Sequence, residues 1–216
     1  MYKKIKNILD VIFAFVGIIV MAPIFLAIVI AIRLDSQGKA LFTQERVGKD
    51  GKIFLIYKFR TMKTIDVAFD TDHAVIEDGN PSVTRVGRIL RKFKLDETPQ
   101  ILNILKGEMS FVGPRPLMPI YLEEYAEWEK QKFAVKPGLT GYSQVNGNGY
   151  LSKKGRSYYD VKYAKEISFL LDVKLFFSVI KVILKGEKAC LKEIDEEEIV
   201  HVEKEFIENK EKNEEN

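Results

Sequence analysis

The strongest constraint on this chain is Val11–Ile32, a run of 22 residues without one charged side chain. As a straight helix it measures about 33 Å, enough to cross the hydrocarbon core of a bilayer. Lys3, Lys4 and Lys6 precede the run, and Arg33 and Lys39 follow it. Positive charge on both flanks favours keeping both ends on the cytoplasmic side. Pro23 sits in the middle, where it removes a backbone donor and kinks a helix. Residues 1–34 are therefore expected to form a re-entrant helix–break–helix that enters one leaflet and returns. Such a break needs protein or polar partners. A plain bitopic anchor with a tolerated kink accounts for the same residues. A cleaved signal peptide fits less well, because the run is too long and lacks a small-x-small cleavage site.

A second apolar stretch lies at Glu166–Lys185. Lys174, Ser178, Lys181 and Lys185 recur at helical spacing, forming one polar stripe among Phe169, Leu170, Phe176, Phe177, Ile180 and Leu184. Such a helix can lie in a membrane interface with its lysines reaching toward headgroups, or pack its apolar side on a core. Charge supports the interface. The net charge is +3, but residues 191–216 hold eleven Asp/Glu against four Lys, so the first 190 residues carry +10. A basic body favours phosphates, nucleotides or lipid headgroups. The acidic tail 191–216 reads as a solvated helix or a partly disordered end. Cys190 is the only cysteine, so no intramolecular disulfide is available.

Between these segments, residues 35–190 read as a compact catalytic domain. Leu41–Met62 has the pattern of a β-hairpin about Lys49-Asp50-Gly51-Lys52. It ends in Lys58-Phe59-Arg60-Thr61-Met62, where strand alternation puts both cations on one side. Thr64–Pro81 is a polar loop or short helix, and its His73 matches no strong metal motif. Arg85–Phe93 is a short basic helix. Tyr121–Phe133, with the sole tryptophan Trp128, looks helical, and Lys136–Gly147 is a glycine-rich loop able to approach a ligand closely. Arg115, between Pro114 and Pro116, has little backbone freedom and is presented rigidly, as bidentate phosphate contact requires.

The residues richest in chemistry are Asp96 and Glu97, just after Arg91, Lys92 and Lys94. Pro99 fits only a first helical turn, which makes Asp96 a natural N-cap with Glu97 in the first turn. Cations and a helix start keep a carboxylate ionised and attract phosphate. A carboxylate held so is a metal ligand or a nucleophile, and an ordinary helix cap explains the same ten residues.

Taken in order, these segments resemble the bacterial sugar transferases, the monotopic polyprenyl-phosphate phosphoglycosyl transferases that initiate capsule, exopolysaccharide and glycoconjugate assembly. The resemblance covers about residues 5–185. It rests on Asp10 and Pro23, Lys58–Met62, Leu95–Gln100, Gly113-Pro114-Arg115-Pro116 and Pro137–Gly141, in that order. It implies an α+β, mostly helical fold: a re-entrant membrane helix broken at Ala22-Pro23, interfacial amphipathic helices and a small β-hairpin around the catalytic domain. It further implies that Asp96 attacks the β-phosphate of a UDP-sugar, releasing UMP, and that undecaprenyl phosphate then takes the phosphosugar. Glu97 is implied as the Mg²⁺ ligand. Lys58, Arg60, Arg91 and Arg115 are implied as substrate-binding cations. The setting implied is the bacterial inner membrane, with the catalytic domain facing the cytoplasm and membrane lipids as partners. Nucleic acid is not an expected partner, and a homodimer is left open. Related sequences commonly carry Trp at position 142 and Arg at 148, where this chain has Tyr142 and Asn148; that departure bears on sugar preference. A membrane scaffold binding anionic lipid, or a tethered Mg²⁺ phosphohydrolase, are the rival readings.

Overall fold

A computed structural model describes residues 2–63 and 80–214. The polar segment with His73 lies outside the described residues. The N-terminal run forms α1, Tyr2–Asp35, the one described helix long and apolar enough to cross a membrane. α1 is one helical element with Pro23 inside it. Proline costs a helix one donor and one ring clash, and packing along the rest of a long helix tolerates that loss. Buried Lys6, Asp10, Ala14, Ile28 and Ile32 lie on the side of α1 facing the body. Ile12, Phe13, Val16, Ile19, Val20 and Leu26 are exposed.

The hairpin is as expected. Strand β1 (Leu41–Val47) pairs antiparallel with β2 (Ile53–Phe59), in register from Leu41 opposite Phe59 to Val47 opposite Ile53. Asp50 (φ 55°) and Gly51 (φ 76°) make the left-handed corner between them. Helix α2 (Arg85–Lys92) is capped by Thr84, whose Oγ1 accepts from Gly87 N at 2.9 Å. Helix α3 (Ile101–Leu105) follows a 3-10 turn, Leu95–Gln100. Strand β3 (Ser110–Val112) lies parallel to β4 (Gly138–Thr140). Between them the expected helix over Tyr121–Phe133 is cut down to α4 (Glu127–Lys130) flanked by 3-10 turns. Extended backbone at Tyr125 and Ala126 interrupts it, and Glu129 folds back to accept from Ala126 N at 2.8 Å. Then come α5 (Tyr142–Val145), α6 (Lys153–Glu166) and α7 (Phe169–Lys185). The acidic tail is the helix α8 (Glu196–Glu214).

Two apolar clusters tie α1 to the body at different points. Ala14 joins Phe54, Ile56, Ile101, Ile104 and Met109, while Ile28 and Ile32 join Ala40, Phe59 and Leu90. A fully buried aliphatic side chain such as Ile104 or Ile56 contributes about 2 kcal/mol. The N-terminal end of α1 is held by charge. Lys6 Nζ lies 2.6 Å from Asp172 Oδ2 on α7, and Tyr163 donates to Asp172 Oδ1 at 2.6 Å. Of the lysines preceding the apolar run, only Lys3 and Lys4 are therefore exposed at the flank.

Helix α7 carries three stripes. Asp172, Leu175 and Val182 face inward. Leu170, Val173, Phe177, Ile180 and Leu184 form an exposed apolar stripe, and Lys174, Lys181 and Lys185 stand beside it in solvent.

Candidate active site

The turn carrying Asp96 and Glu97 differs from the expected helix start. Lys94, at φ 58°, precedes it, and no side chain caps it. The turn closes in the tighter 3-10 pattern, with Thr98 Oγ1 on Leu95 O at 2.7 Å, and α-helical geometry begins only at Ile101. Pro99, without an N–H, fits that turn. Asp96 is thus not an N-cap, and the five-residue α3 supplies no useful dipole. The local field comes from cations instead.

Those cations arrive from three elements. Lys58, near the end of β2, places Nζ 2.7 Å from Glu97 Oε1. Arg115, just beyond β3, places a guanidinium nitrogen 3.3 Å from the same oxygen. Arg91, at the end of α2, and Lys94 act on Asp96 through their charge. The sequence-predicted Lys58, Arg91, Asp96, Glu97 and Arg115 are therefore brought together. Arg60 is not. Strand β2 ends at Phe59, and Arg60 turns to the far end of α1, donating to Ser36 O at 2.7 Å and to Gln37 O. It satisfies carbonyls at a helix C-terminus, where a cation is favoured.

The two carboxylates have opposite electrostatics. Burial works against the charge of Glu97, but Lys58 and Arg115 more than offset it and hold its carboxyl well below the usual range. Asp96 is pushed up to about 6 by burial and then by the neighbouring Glu97 charge, against the pull of Lys58, Lys94 and Arg91. Near neutral pH both are ionised, with Asp96 the more basic.

Glu97, but not Asp96, lines a small cleft together with Arg46, Lys58, Gln100, Arg115 and Gln144 among others. The cations on its walls suit an anionic group such as a phosphate. Arg46 was missed from sequence. It lies on β1, two residues from Gln44, whose Oε1 it donates to. Burial and the nearby Arg115 lower its guanidinium to about 10, with Glu97 opposing. Alternation of Gln44 and Arg46 along the strand is the one signal that could have found it. Lys94 stands out in the sequence as a cation before Asp96, but its pairing with Glu187, 93 residues on, does not.

The glycine-rich loop serves the backbone. A Cβ on Gly138 would come within 2.1 Å of Gly113 N, and one on Gly141 within 2.1 Å of Gly113 O. These glycines let β4 and the chain leading to Arg115 touch main chain to main chain. That contact fixes where the Pro114-Arg115-Pro116 segment emerges.

Among the described residues there is no group of three or more carboxylate, His or Cys ligands. The chemistry of the site nevertheless suits Mg²⁺, which commonly binds through one or two carboxylates, water and substrate phosphates. Lys58 and Arg115 share Oε1 of Glu97, and among the described residues Oε2 accepts from no donor, so Glu97 is the residue that could hold such an ion.

The half-buried, cation-flanked carboxylate pair lies in the same body as an apolar helix long enough to cross a membrane. Residues 1–186 match the family model for bacterial sugar transferases, and the chain belongs to that family. It is 37% identical over 183 residues to an uncharacterized sugar transferase, EpsL, of Bacillus subtilis strain 168, covering 85% of this chain and 89% of that one. It is 36% identical over 192 residues to the UDP-N-acetylgalactosamine-undecaprenyl-phosphate N-acetylgalactosaminephosphotransferase of Aeromonas hydrophila. A similar relative, 36% identical over 185 residues, is the UDP-glucose:undecaprenyl-phosphate glucose-1-phosphate transferase of Escherichia coli K12. The alignments cover 86% and 81% of this chain, but the chain spans only 45% and 39% of those two relatives.

Proposed function

We propose that this protein transfers a phosphosugar from a UDP-sugar to undecaprenyl phosphate. Asp96 is the nucleophile. Its carboxylate oxygen attacks the β-phosphorus, the bond to the UMP oxygen breaks, and UMP leaves with the electron pair. An oxygen of undecaprenyl phosphate then attacks the same phosphorus. The aspartyl bond breaks, giving undecaprenyl diphosphate-sugar and restoring Asp96. The observation carrying this reading is the pair itself: a half-buried, basic Asp96 beside a Glu97 held ionised by Lys58 and Arg115. A carboxylate nucleophile must stay charged and approach phosphate oxygens that repel it. Arg91, Lys58 and Arg115 reduce that repulsion and stabilise the charge that develops. Arg46 adds a fourth cation for the donor diphosphate. Mg²⁺, held by Glu97, would neutralise donor phosphate charge when bound. The acceptor is already an anion, so its attack needs no strong general base.

Localisation follows from the same surfaces. Both ends of α1 pack on one body, through Lys6–Asp172 and through Ile28 and Ile32, which supports a re-entrant helix with both ends on the cytoplasmic face of the inner membrane. The exposed apolar stripe of α7 and its lysines would rest in the interface. There a soluble nucleotide-sugar meets a lipid phosphate.

The test is UMP release from a UDP-sugar panel with undecaprenyl phosphate and Mg²⁺. Asp96→Asn should lose release while keeping membrane association. Full turnover by that variant would sink the nucleophile assignment.

A further inference from the structure

The family match ends at residue 186, yet the chain goes on to touch the catalytic body again. After Gly186 (φ 82°) a 3-10 turn, Lys188–Cys190, leads into a segment locked to the loop before α6. Lys192 N donates to Asn146 O at 3.0 Å. Leu191 lies against Gly147, where a Cβ would come within 2.7 Å of it. Farther on, Ile199, Val202 and Phe206 of α8 pack with Trp128, Leu151 and Tyr158. Fixed between α7 and these contacts, Glu187 is delivered to one place.

That place is the border of the active site. Glu187 Oε1 accepts from Asn148 Nδ2 at 2.9 Å and from Lys94 Nζ. Among the described residues Oε2 accepts from no donor, so an oriented acceptor is left over. Lys94 and Asn148 both hold left-handed backbone, at φ 58° and φ 48°, which fixes their directions. Lys94 stands two residues before Asp96, and the Glu187 charge also reaches Arg115, adding to that of Glu97. A carboxylate here repels phosphate. Together with an amide it suits a neutral, hydroxyl-rich group, giving acceptors and donors for ring substituents.

We propose that Glu187, with Asn148 and Lys94, reads the sugar of the donor and sets which hexose is transferred. The assignment rests on the transferase reading above, because the sugar hangs from the phosphate that Asp96 attacks and so lies beside this turn. A site built to hydrogen-bond a substituent rejects a donor lacking it far more strongly than an apolar wall does.

The experiment measures kcat/KM for UMP release from UDP-glucose, UDP-galactose, UDP-N-acetylglucosamine and UDP-N-acetylgalactosamine, each with undecaprenyl phosphate. Glu187→Gln should lower kcat/KM for the preferred donor about tenfold or more and flatten its advantage over the next donor. Glu187→Asp keeps the charge opposite Lys94 but withdraws Oε2 by one methylene, and should flatten that advantage in the same direction. Equal losses on all four donors would make Glu187 a mere tether for Lys94 and overturn the proposal, as would unchanged donor ratios. A wild-type protein that releases no UMP from any donor would instead bring down the transferase reading, and this assignment with it.

Discussion

Replacing Asp96 by asparagine should make the protein more stable as well as inactive. The side chain sits where burial and Glu97 raise its carboxyl from 3.8 to about 6. At 1.36 kcal/mol per pH unit, keeping it charged costs the folded state about 3 kcal/mol. The sign follows from proton binding. Because the folded state holds the proton more tightly, there is no cost below about pH 3.8, stability falls as pH rises from there to about 6, and the full cost persists above. Asparagine carries no charge at any pH. At pH 7.5 the variant should gain about 2–3 kcal/mol, or roughly 5–10 °C in melting temperature for a chain of this size. The gain should fade as the pH is lowered toward 4. The assay is thermal unfolding in detergent micelles, followed by the fluorescence of Trp128, with a chelator present so that no divalent cation neutralises the pair. A variant that melts no higher than wild type at pH 7.5, or one whose advantage is the same at pH 4, would refute the claim that Asp96 is held charged against its surroundings.

Removing one partner of the buried Lys6–Asp172 pair should be costly. Asp172→Ala leaves the buried Lys6 ammonium only its 3.9 Å contact with Asp10, takes the acceptor from Tyr2 and Tyr163, and should cost about 3–5 kcal/mol, read as a drop in melting temperature. Topology can be checked in a Cys190→Ser background, since the native thiol is buried. Single cysteines at Lys3 and Arg33 should both label from the cytoplasmic side of inverted vesicles, and labelling of the two from opposite sides would rule out the re-entrant reading.

What could be read from the sequence was what short spacing encodes. The Asp50-Gly51 corner specified the hairpin, and its register followed from the strand run beside it. The uncharged run gave α1, and the charged residues around Asp96 pointed to the site. Errors arose where tertiary contacts decide. Alternation put Lys58 and Arg60 on one strand face, but β2 stops between them and Arg60 answers to the carbonyls at the end of α1. Pro99 argued for a helix start at Asp96, yet the turn closes as 3-10, a difference of one hydrogen-bond register. Glycines read as room for a ligand turned out to make room for backbone. Arg46 and Glu187 reach the site across 51 and 90 or so residues of chain, distances over which no local pattern reports.

Ala14 of α1 lies in the same apolar cluster as Ile101 and Ile104, the residues directly behind the Asp96 turn. The hydrophobic helix is therefore part of the catalytic core and not a tether attached to it. Trimming α1 to obtain a water-soluble fragment would strip the apolar wall from behind the Asp96 turn. Conversely, whatever tilts or lifts that helix pulls on the turn directly. For this chain, solubility and catalysis cannot be engineered apart.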